Sequence, residues 1–334
     1  MKFLALLLLA HAAFAQTWLE QSSGTTASLR AVSAVNARVV WASGAGGTWL
    51  RTIDSGANWR AATVPGAADL DFRGVQALNE NTAWLMSSGS GDKSRIYKTT
   101  DAGATWKLLF TNPDPQGFFD AIAFRDALHG VIAGDPVNGD LTIFTSDDGG
   151  STWTRRHTLP AHPEEGAFAA SNSCLALTGK RDIWFGTGGL GGAHILHSAD
   201  GGATWNITPA PIRHDEASAG IFSIAFADAS HGIAVGGNYA KDGETDQNLA
   251  VTSDGGRTWS AAPAAAPKGF RSAVLWLPAQ KAWLATGTSG SDISTDGKSW
   301  RNFHAGSFNA LATSQGSVWA VGARGRVATM KFSR

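Results

Sequence analysis

Three arginines, Arg30, Arg73 and Arg271, each follow an apolar residue at the start of a repeated segment. A guanidinium group presents a planar fork of N–H donors, so convergent arginines favour a carboxylate, sulfate or phosphate ligand. Each segment pairs an apolar residue with one of variable type. The pairs are Leu29-Arg30, Phe72-Arg73, Phe119-Asp120, Phe222-Ser223, Phe270-Arg271 and Phe308-Asn309.

The second members of these pairs are candidate ligand-binding residues. Alternate side chains of a strand point to opposite faces, so each second member lies opposite its apolar neighbour. If the apolar members pack between sheets, the second members ring the mouth of a central channel. That ring contains Arg30, Arg73, Asp120, Ser223, Arg271 and Asn309. In the alternative interpretation, the arginines pair with Asp120 or with acidic loop residues and only brace the mouth.

The sheets that would position these residues are indicated by a repeated box, Thr99-Thr100-Asp101-Ala102-Gly103-Ala104-Thr105-Trp106. Six copies begin at residues 52, 99, 146, 198, 252 and 294, and repeats of this length are typical of propeller blades. We expect each Asp to be buried and to accept hydrogen bonds from a tight turn, and each Trp to pack against the next blade. These structural residues are Asp54, Asp101, Asp148, Asp200, Asp254, Asp296, Trp59, Trp106, Trp153, Trp205, Trp259 and Trp300. Each box has too few carboxylates for a calcium loop.

A second repeat, a short apolar strand upstream of each box, predicts the number of blades. Its seven copies lie at 40–44, 83–86, 130–134, 183–186, 232–236, 282–285 and 318–322. The last copy has no box after it, but Thr17-Trp18 near the N-terminus repeats the end of the box. We therefore predict an all-β, seven-bladed propeller of four-stranded antiparallel blades, in which residues 16–22 complete the last blade and remove a free sheet edge. The predicted blades are 24–64, 67–110, 115–158, 165–209, 218–262, 268–304 and 306–334 with 16–22.

The ends and the composition predict where such a protein works. Residues 1–15 have a charged start, an apolar core and an Ala-Phe-Ala cleavage site, which is typical of a secretory signal peptide. We expect cleavage near Ala15, a single domain over 16–334, and a periplasmic or secreted product. The 27 basic and 27 acidic residues balance, which argues against nucleic acid as a partner, and no apolar run is long enough to cross a bilayer.

Other reactive residues give weaker signals. Cys174 is the only cysteine and lies in an apolar context, which favours a core position. His194 and His197 are three residues apart in one predicted strand, so they point to opposite faces and do not form a metal site. No phosphate-binding or dinucleotide-binding loop is present in the sequence. We predict neither a metal nor a cofactor.

The boxes, the strand motif at 318–322 and the segment 226–232 resemble the Asp-box, or BNR-repeat, propellers. Within that superfamily the mature chain is most similar to the photosystem II assembly-factor-like group and its bacterial relatives. The resemblance implies a non-enzymatic scaffold that holds client proteins, with a basic patch that Arg30, Arg73 and Arg271 could supply. We therefore expect an exported monomer that binds a client protein, an anionic small molecule or a glycan.

Sialidases share the box and the fold, so the resemblance also implies a rival function. Sialidases use an arginine triad and a Tyr nucleophile paired with Glu, and Tyr239 with Glu244 is the matching candidate here, although the Arg-Ile-Pro motif is missing. Other glycosidases of this superfamily use two carboxylates, for which Glu165 or Asp135 with Asp292 are candidates. A glycoside hydrolase is therefore the alternative function.

Overall fold

The computed structural model describes residues 16–157, 159–262 and 266–332. The predicted signal peptide, residue 158 and residues 333–334 of the predicted blades lie outside these ranges. The described residues form strands, with short 3₁₀ helices at Gly91–Lys93 and Tyr239–Lys241. Across the same ranges, no helix is long and apolar enough to cross a membrane.

The strands follow one another along the chain with short connections. They are β1 (Gln16–Gln21), β2 (Leu29–Ala34), β3 (Val40–Gly44), β4 (Thr48–Thr52), β5 (Arg60–Thr63), β6 (Phe72–Ala77), β7 (Ala83–Ser87), β8 (Arg95–Thr99), β9 (Lys107–Thr111), β10 (Phe119–Phe124), β11 (Gly130–Val137), β12 (Asp140–Ser146), β13 (Thr154–Arg156), β14 (Glu165–Gly166), β15 (Leu175–Thr178), β16 (Asp182–Gly186), β17 (Gly188–Gly189), β18 (His194–Ser198), β19 (Asn206–Pro209), β20 (Ala219–Phe226), β21 (Gly232–Asn238), β22 (Leu249–Thr252), β23 (Ser260–Ala261), β24 (Ala273–Leu277), β25 (Ala282–Gly287), β26 (Gly290–Ser294), β27 (Arg301–His304), β28 (Ala310–Ser314), β29 (Ser317–Val321) and β30 (Val327–Phe332).

Seven antiparallel four-stranded blades form a propeller, which confirms the predicted fold class. Blade one is β2–β5, blade two β6–β9, blade three β10–β13, blade four β15, β16, β18 and β19, blade five β20–β23, blade six β24–β27, and blade seven β28–β30 with β1. The short strands β14 and β17 extend the inner side of blade five. The first strands contact one another in the order β2, β6, β10, β15, β20, β24, β28 and back to β2, so the ring is closed.

The N-terminal strand completes the last blade, as the repeated Thr-Trp pair predicts. Strand β1 is antiparallel to β30, with Gln16 opposite Phe332 and Gln21 opposite Val327. Trp18 is buried between blades six and seven, where its ring centroid lies 5.1 Å from that of Phe308. The ring is thus closed by backbone pairing and by an aromatic side chain from the same strand.

The box turns are held by a repeated set of hydrogen bonds. In blade two, the Thr99 hydroxyl donates to Asp101 (2.8 Å) and accepts from Gly103 N (2.9 Å). Asp101 also accepts from the backbone N–H (2.9 Å) and the hydroxyl (2.6 Å) of Thr105. These donors lower the pKa of Asp101 to about 2. Asp101 is exposed, so the expectation that the box Asp is buried is wrong.

The box tryptophans pack into the seams between blades. Trp106 of blade two lies against Trp41 and Trp49 of blade one, with ring centroids 6.1 and 5.7 Å away. In the same way, Trp59 of blade one contacts Trp319 of blade seven. Each of these tryptophans therefore packs against the preceding blade and not, as expected, against the next.

Bulges at the starts of the inner strands decide which side chains turn toward the axis. The pairing register shifts between Leu29 and Ala31, between Phe72 and Gly74, and between Phe119 and Ala121. The extra residues in these strands are Arg30, Arg73 and Asp120. A bulge re-aims the side chain that it carries, so these three leave the regular alternation of their strands.

Candidate functional site

A cavity of about 510 Å³ lies at the end of the inner strands that is opposite the box turns. The bulged residues of blades one to three form one side of it, and aromatic residues of blades four to six form the other. Its lining residues are Arg30, Arg73, Phe118, Asp120, Asp135, Ala167, Phe168, Ala169, Ala170, Phe222, Tyr239, Phe270, Ser272, Thr288 and Asn309. We call this space the axial cavity.

Arg30 and Arg73 share the carboxylate of Asp71. Arg73 Nε donates to Asp71 Oδ2 at 2.8 Å, and Arg30 Nε lies 3.5 Å from the same oxygen. Arg73 Nη1 also donates to the Ala169 carbonyl at 3.2 Å. The Arg30 Nε and the Asp71 Oδ1 have no hydrogen-bond partner among the described residues. Both arginines line the axial cavity, and guanidinium groups suit an oxyanion ligand.

Asp120 and Asp135 form an acidic pair on the same side. Asp120 is 1% exposed, and neither of its oxygens makes a hydrogen bond of normal geometry to a described residue. Burial raises the pKa of Asp120 well above its usual value, the negative charge of Asp135 adds to this, and Arg73 opposes it. Burial also raises the pKa of Asp135, against a 2.8 Å hydrogen bond from Ala167 N. When it is protonated, the Asp120 carboxyl can act as a hydrogen-bond donor.

Aromatic rings form the opposite wall. Phe168 stacks on Phe222 with centroids 4.0 Å apart, and Phe270 meets Phe222 edge to face at 4.6 Å. Tyr239 stands at the rim, 55% exposed, with its ring 6.3 Å from Phe168. The axial cavity therefore combines a basic side with an apolar side, and such a surface can take a chain that carries both kinds of group.

The axial cavity brings together four of the six predicted ring residues: Arg30, Arg73, Asp120 and Asn309. The side-chain amide of Asn309 already has a partner within the propeller, because its Nδ2 donates to the Leu29 carbonyl at 2.7 Å. Whether these four bind a ligand stays a prediction.

Ser223 and Arg271 do not line the axial cavity. In blade five the register shift falls between Ile221 and Ser223, so the bulged residue is Phe222 and the aromatic side chain faces the axis. Ser223 is buried, and its hydroxyl donates to Val274 O and accepts from Val274 N. In blade six, Arg271 precedes β24 and is fully buried beside Asp292. The expected convergence of three arginines is therefore wrong.

Most of the carboxylates proposed for glycoside cleavage lie outside the axial cavity and bind other side chains. Asp292 is 1% exposed and forms an ion pair with Arg271. Glu165 is buried, which opposes ionisation, but hydrogen bonds from His194, Thr187 and the His162 N–H outweigh this and lower its pKa. A general acid needs a raised pKa, so Glu165 does not suit that role. Of the expected carboxylates, only Asp135 lies at the axial cavity.

Tyr239 is separated from its expected partner. Glu244 Oε2 accepts a hydrogen bond from Arg213 Nη1 at 2.6 Å, and Arg213 Nε also binds Asp215 at 2.8 Å. Glu244 is thus held in a surface ion-pair network and does not line the axial cavity. The Tyr239 ring contacts the rings of Phe168 and Phe222.

The sequence did not predict the segment 169–173, which crosses the axis and closes the cavity floor. Asn172 Oδ1 accepts from Ile122 N (2.8 Å) in blade three, and its Nδ2 donates to Ile122 O (2.9 Å). Ser171 donates to Ser272 O of blade six, and Ser173 donates to Ser223 of blade five. We call residues 169–173 the axial segment. The polar run Ser171-Asn172-Ser173 before an apolar strand was the available signal. The buried Cys174 that follows packs in the core, as expected.

Comparison with known proteins supports the fold. No family model matches the chain. It is similar to solved structures described as YCF48 bound to D1 peptide (TM-score 0.64, 15% identity, 94% of this chain and 96% of that one) and YCF48 from Cyanidioschyzon merolae (0.67, 16%, 93% and 98%). The WD40 propeller domain of Doa1 is similar at TM-score 0.63 and 14% identity, with 93% and 97% covered. At these identities the likeness shows a shared propeller fold.

One curated relative is an enzyme. A xyloglucanase of a Paenibacillus species is 24% identical over 192 residues, which are 49% of this chain. The chain spans only 18% of the length of that xyloglucanase.

Proposed function

We propose that this chain is an exported, non-enzymatic propeller of the Asp-box superfamily that binds a client protein as a monomer. The client would enter the axial cavity as an extended peptide. The observation that carries this proposal is that Arg30 and Arg73 line the same cavity as the aromatic residues Phe168, Phe222 and Phe270.

The chemistry of the axial cavity suits a peptide that carries a carboxylate. A C-terminal carboxylate or an acidic side chain would pair with the two guanidinium groups, and Asp120 would donate to it when protonated. Apolar side chains of the peptide would pack on the aromatic wall. YCF48 bound to D1 peptide is a propeller of similar fold that holds a peptide, which supports the same class of partner here.

The test uses a synthetic array of peptides with free carboxyl termini. The strongest binder is then measured by calorimetry, both as the free acid and with its carboxylates replaced by amides. Arg30→Gln with Arg73→Gln should weaken binding of the acid about tenfold or more, because two charge-assisted hydrogen-bond donors are lost. Arg38→Gln is the matched control, since Arg38 is exposed and lies beside the box turn of blade one. Equal affinity of wild type and double variant would overturn the proposal.

A glycoside hydrolase is the second candidate, favoured by two observations. One is the stretch of similarity to a xyloglucanase, and the other is the pair of cavity carboxyls Asp120 and Asp135 with raised pKa values. Glycosidases use a pair of carboxyl groups, one protonated as the general acid and the other ionised as the base or nucleophile. Wild type, Asp120→Asn, Asp135→Asn and Tyr239→Phe should be assayed on xyloglucan oligosaccharides and on fluorogenic glycosides that include a sialoside. Turnover that a variant abolishes would establish the hydrolase and overturn the non-enzymatic proposal.

Export is part of the proposal and has its own test. Removal of residues 1–15 would leave β1 intact, because that strand begins at Gln16. Expression of the full sequence in a bacterial host should give a periplasmic or secreted product whose N-terminus, read by mass spectrometry, is Gln16. Retention of residues 1–15 in the folded protein would contradict this part.

A further inference from the structure

A second cluster of polar side chains lies outside the lining of the axial cavity. It contains Glu165 at the start of β14, His194 at the start of β18, and His162 in the loop before β14. One potential ligand atom from each residue lies within 4.8 Å of the other two. Glu165 has a fully buried side chain, the His194 side chain is 14% exposed, and His162 is exposed. The cluster is thus closed on the carboxylate side and open to solvent on the imidazole side.

We propose that His162, Glu165 and His194 bind a divalent transition-metal ion, for which Zn²⁺ is the best match. Two imidazoles with one carboxylate are a ligand set that suits zinc and its neighbours, whereas Ca²⁺ and Mg²⁺ prefer oxygen ligands alone. Three protein ligands leave a fourth position for water.

The distances require only a small adjustment. His194 Nδ1 lies 3.0 Å from Glu165 Oε1, and the His162 and His194 rings are nearly parallel with centroids 4.7 Å apart. Ligand atoms in a tetrahedral zinc site lie about 3.4 Å apart, because each bond is about 2.1 Å long. The exposed His162 ring has to rotate out of its stack on the His194 ring to close the remaining gap, because the in-plane lone pairs of stacked imidazoles do not point at one ion. The His162 ring then moves toward a His–Glu pair that is already formed.

The carboxylate and its surroundings are already fixed. Glu165 Oε2 accepts from the His162 N–H at 2.8 Å, and Oε1 accepts from the Thr187 hydroxyl at 2.5 Å. Strand β14 pairs with β17, with Glu165 opposite Gly189, so the loop of His162 and the β16–β18 connection are held together. Outer contacts of this kind orient metal ligands and are costly to lose.

The competing interpretation is that the Glu165–His194 contact only braces these loops, and calorimetry decides between the two. The chelator-treated full mature chain is titrated with Zn²⁺, and Co²⁺ loading is followed by visible absorption. We expect one ion per chain and the absorption bands of tetrahedral Co²⁺. His162→Ala should weaken Zn²⁺ binding about tenfold or more, because it removes a ligand without touching the braced pair. The matched control is His214→Ala, an exposed histidine outside the cluster, which should bind as wild type does.

Three results would overturn the metal site. The first is no heat of Zn²⁺ binding to wild type, and the second is the same Kd for His162→Ala and wild type. The third is Mg²⁺ binding as tight as Zn²⁺, which would contradict ligation by imidazole nitrogen. None of these results bears on peptide binding at Arg30 and Arg73, so the two proposals fail separately.

Discussion

Arg271 Nε donates to Asp292 Oδ2 at 2.6 Å inside blade six, where the two side chains are 0% and 1% exposed. The remaining donors of Arg271 are also used: Nη1 donates to Phe270 O at 2.7 Å and to Ser289 Oγ at 2.7 Å, and Nη2 donates to Lys268 O at 2.8 Å. A fully bonded, buried guanidinium is a structural group, so Arg271 contributes to the stability of blade six and not to ligand binding.

Breaking this ion pair should destabilise the propeller strongly. Arg271→Met leaves the Asp292 carboxylate buried without its partner, and we expect a loss of about 3–5 kcal/mol in the free energy of unfolding. Arg271→Met with Asp292→Leu should recover most of that loss, because no buried charge remains. Urea unfolding measures both, with the exposed Lys298→Ala as control. A single variant as stable as wild type would contradict the structural role.

Asp120 should make stability depend on pH. Burial raises the pKa of its carboxyl in the folded chain well above the unfolded value near 4, so the free energy of unfolding falls as pH rises above that value. The slope for one proton is up to about 1.4 kcal/mol per pH unit. Asp120→Asn should remove this pH dependence. In urea unfolding, the free energy of unfolding of the variant should therefore rise relative to that of wild type between pH 5 and 8. Parallel curves for wild type and Asp120→Asn would show that Asp120 is ionised when folded.

The box aspartates should make stability depend on pH in the opposite direction. Hydrogen bonds from Thr152 and Ser146 lower the pKa of Asp148 to about 2, so its contribution is present above the unfolded pKa near 4 and is lost as pH falls toward 2. Asp148→Ala should therefore lower the melting temperature at pH 7 and lower it less at pH 3. The exposed neighbour Asp147→Ala serves as control. Equal melting temperatures of Asp148→Ala and Asp147→Ala at pH 7 would contradict this role of Asp148.

Ring closure should depend on Trp18. Its indole packs in the seam with Phe308 and Phe303, and Nε1 donates to Ser291 at 3.3 Å. Trp18→Ala should cost about 3–5 kcal/mol of unfolding free energy, as for other buried aromatic residues. Leu19→Ala, at a position 37% exposed on the same strand, should be nearly neutral. Equal melting temperatures for both variants and wild type would show that β1 does not close the ring.

The features that the sequence predicted depend on short-range repeats. The box turn uses residues within eight positions, such as Thr99, Asp101 and Thr105, so the repeated pattern contains nearly all of its hydrogen bonds. The closing strand was predictable because Thr17 and Trp18 repeat the end of a box. The number of blades was predictable from the seven copies of the short apolar strand, and the structure has seven blades.

The axial cavity was predicted only in part, because a one-residue shift changes which side chain faces the axis. Arg30, Arg73 and Asp120 are the bulged residues of their strands, but in blade five the bulge carries Phe222 and hides Ser223. Bulges have no clear sequence signal here. The axial segment depends on contacts between residues 50 or more positions apart, such as Asn172 with Ile122. The cluster of Glu165 and His194 also joins residues that are distant in sequence, 29 positions apart.

The central claim is that a client peptide binds at the end of the propeller that holds the axial cavity. Hydrogen–deuterium exchange of the mature chain, with and without the tightest peptide from the array, tests it most directly. We predict slower exchange in the segments 166–174 and 236–242, which form the floor and the rim of the cavity. Protection confined to the box turns, such as 146–153 and 198–205, with no change in those two segments, would contradict the claim.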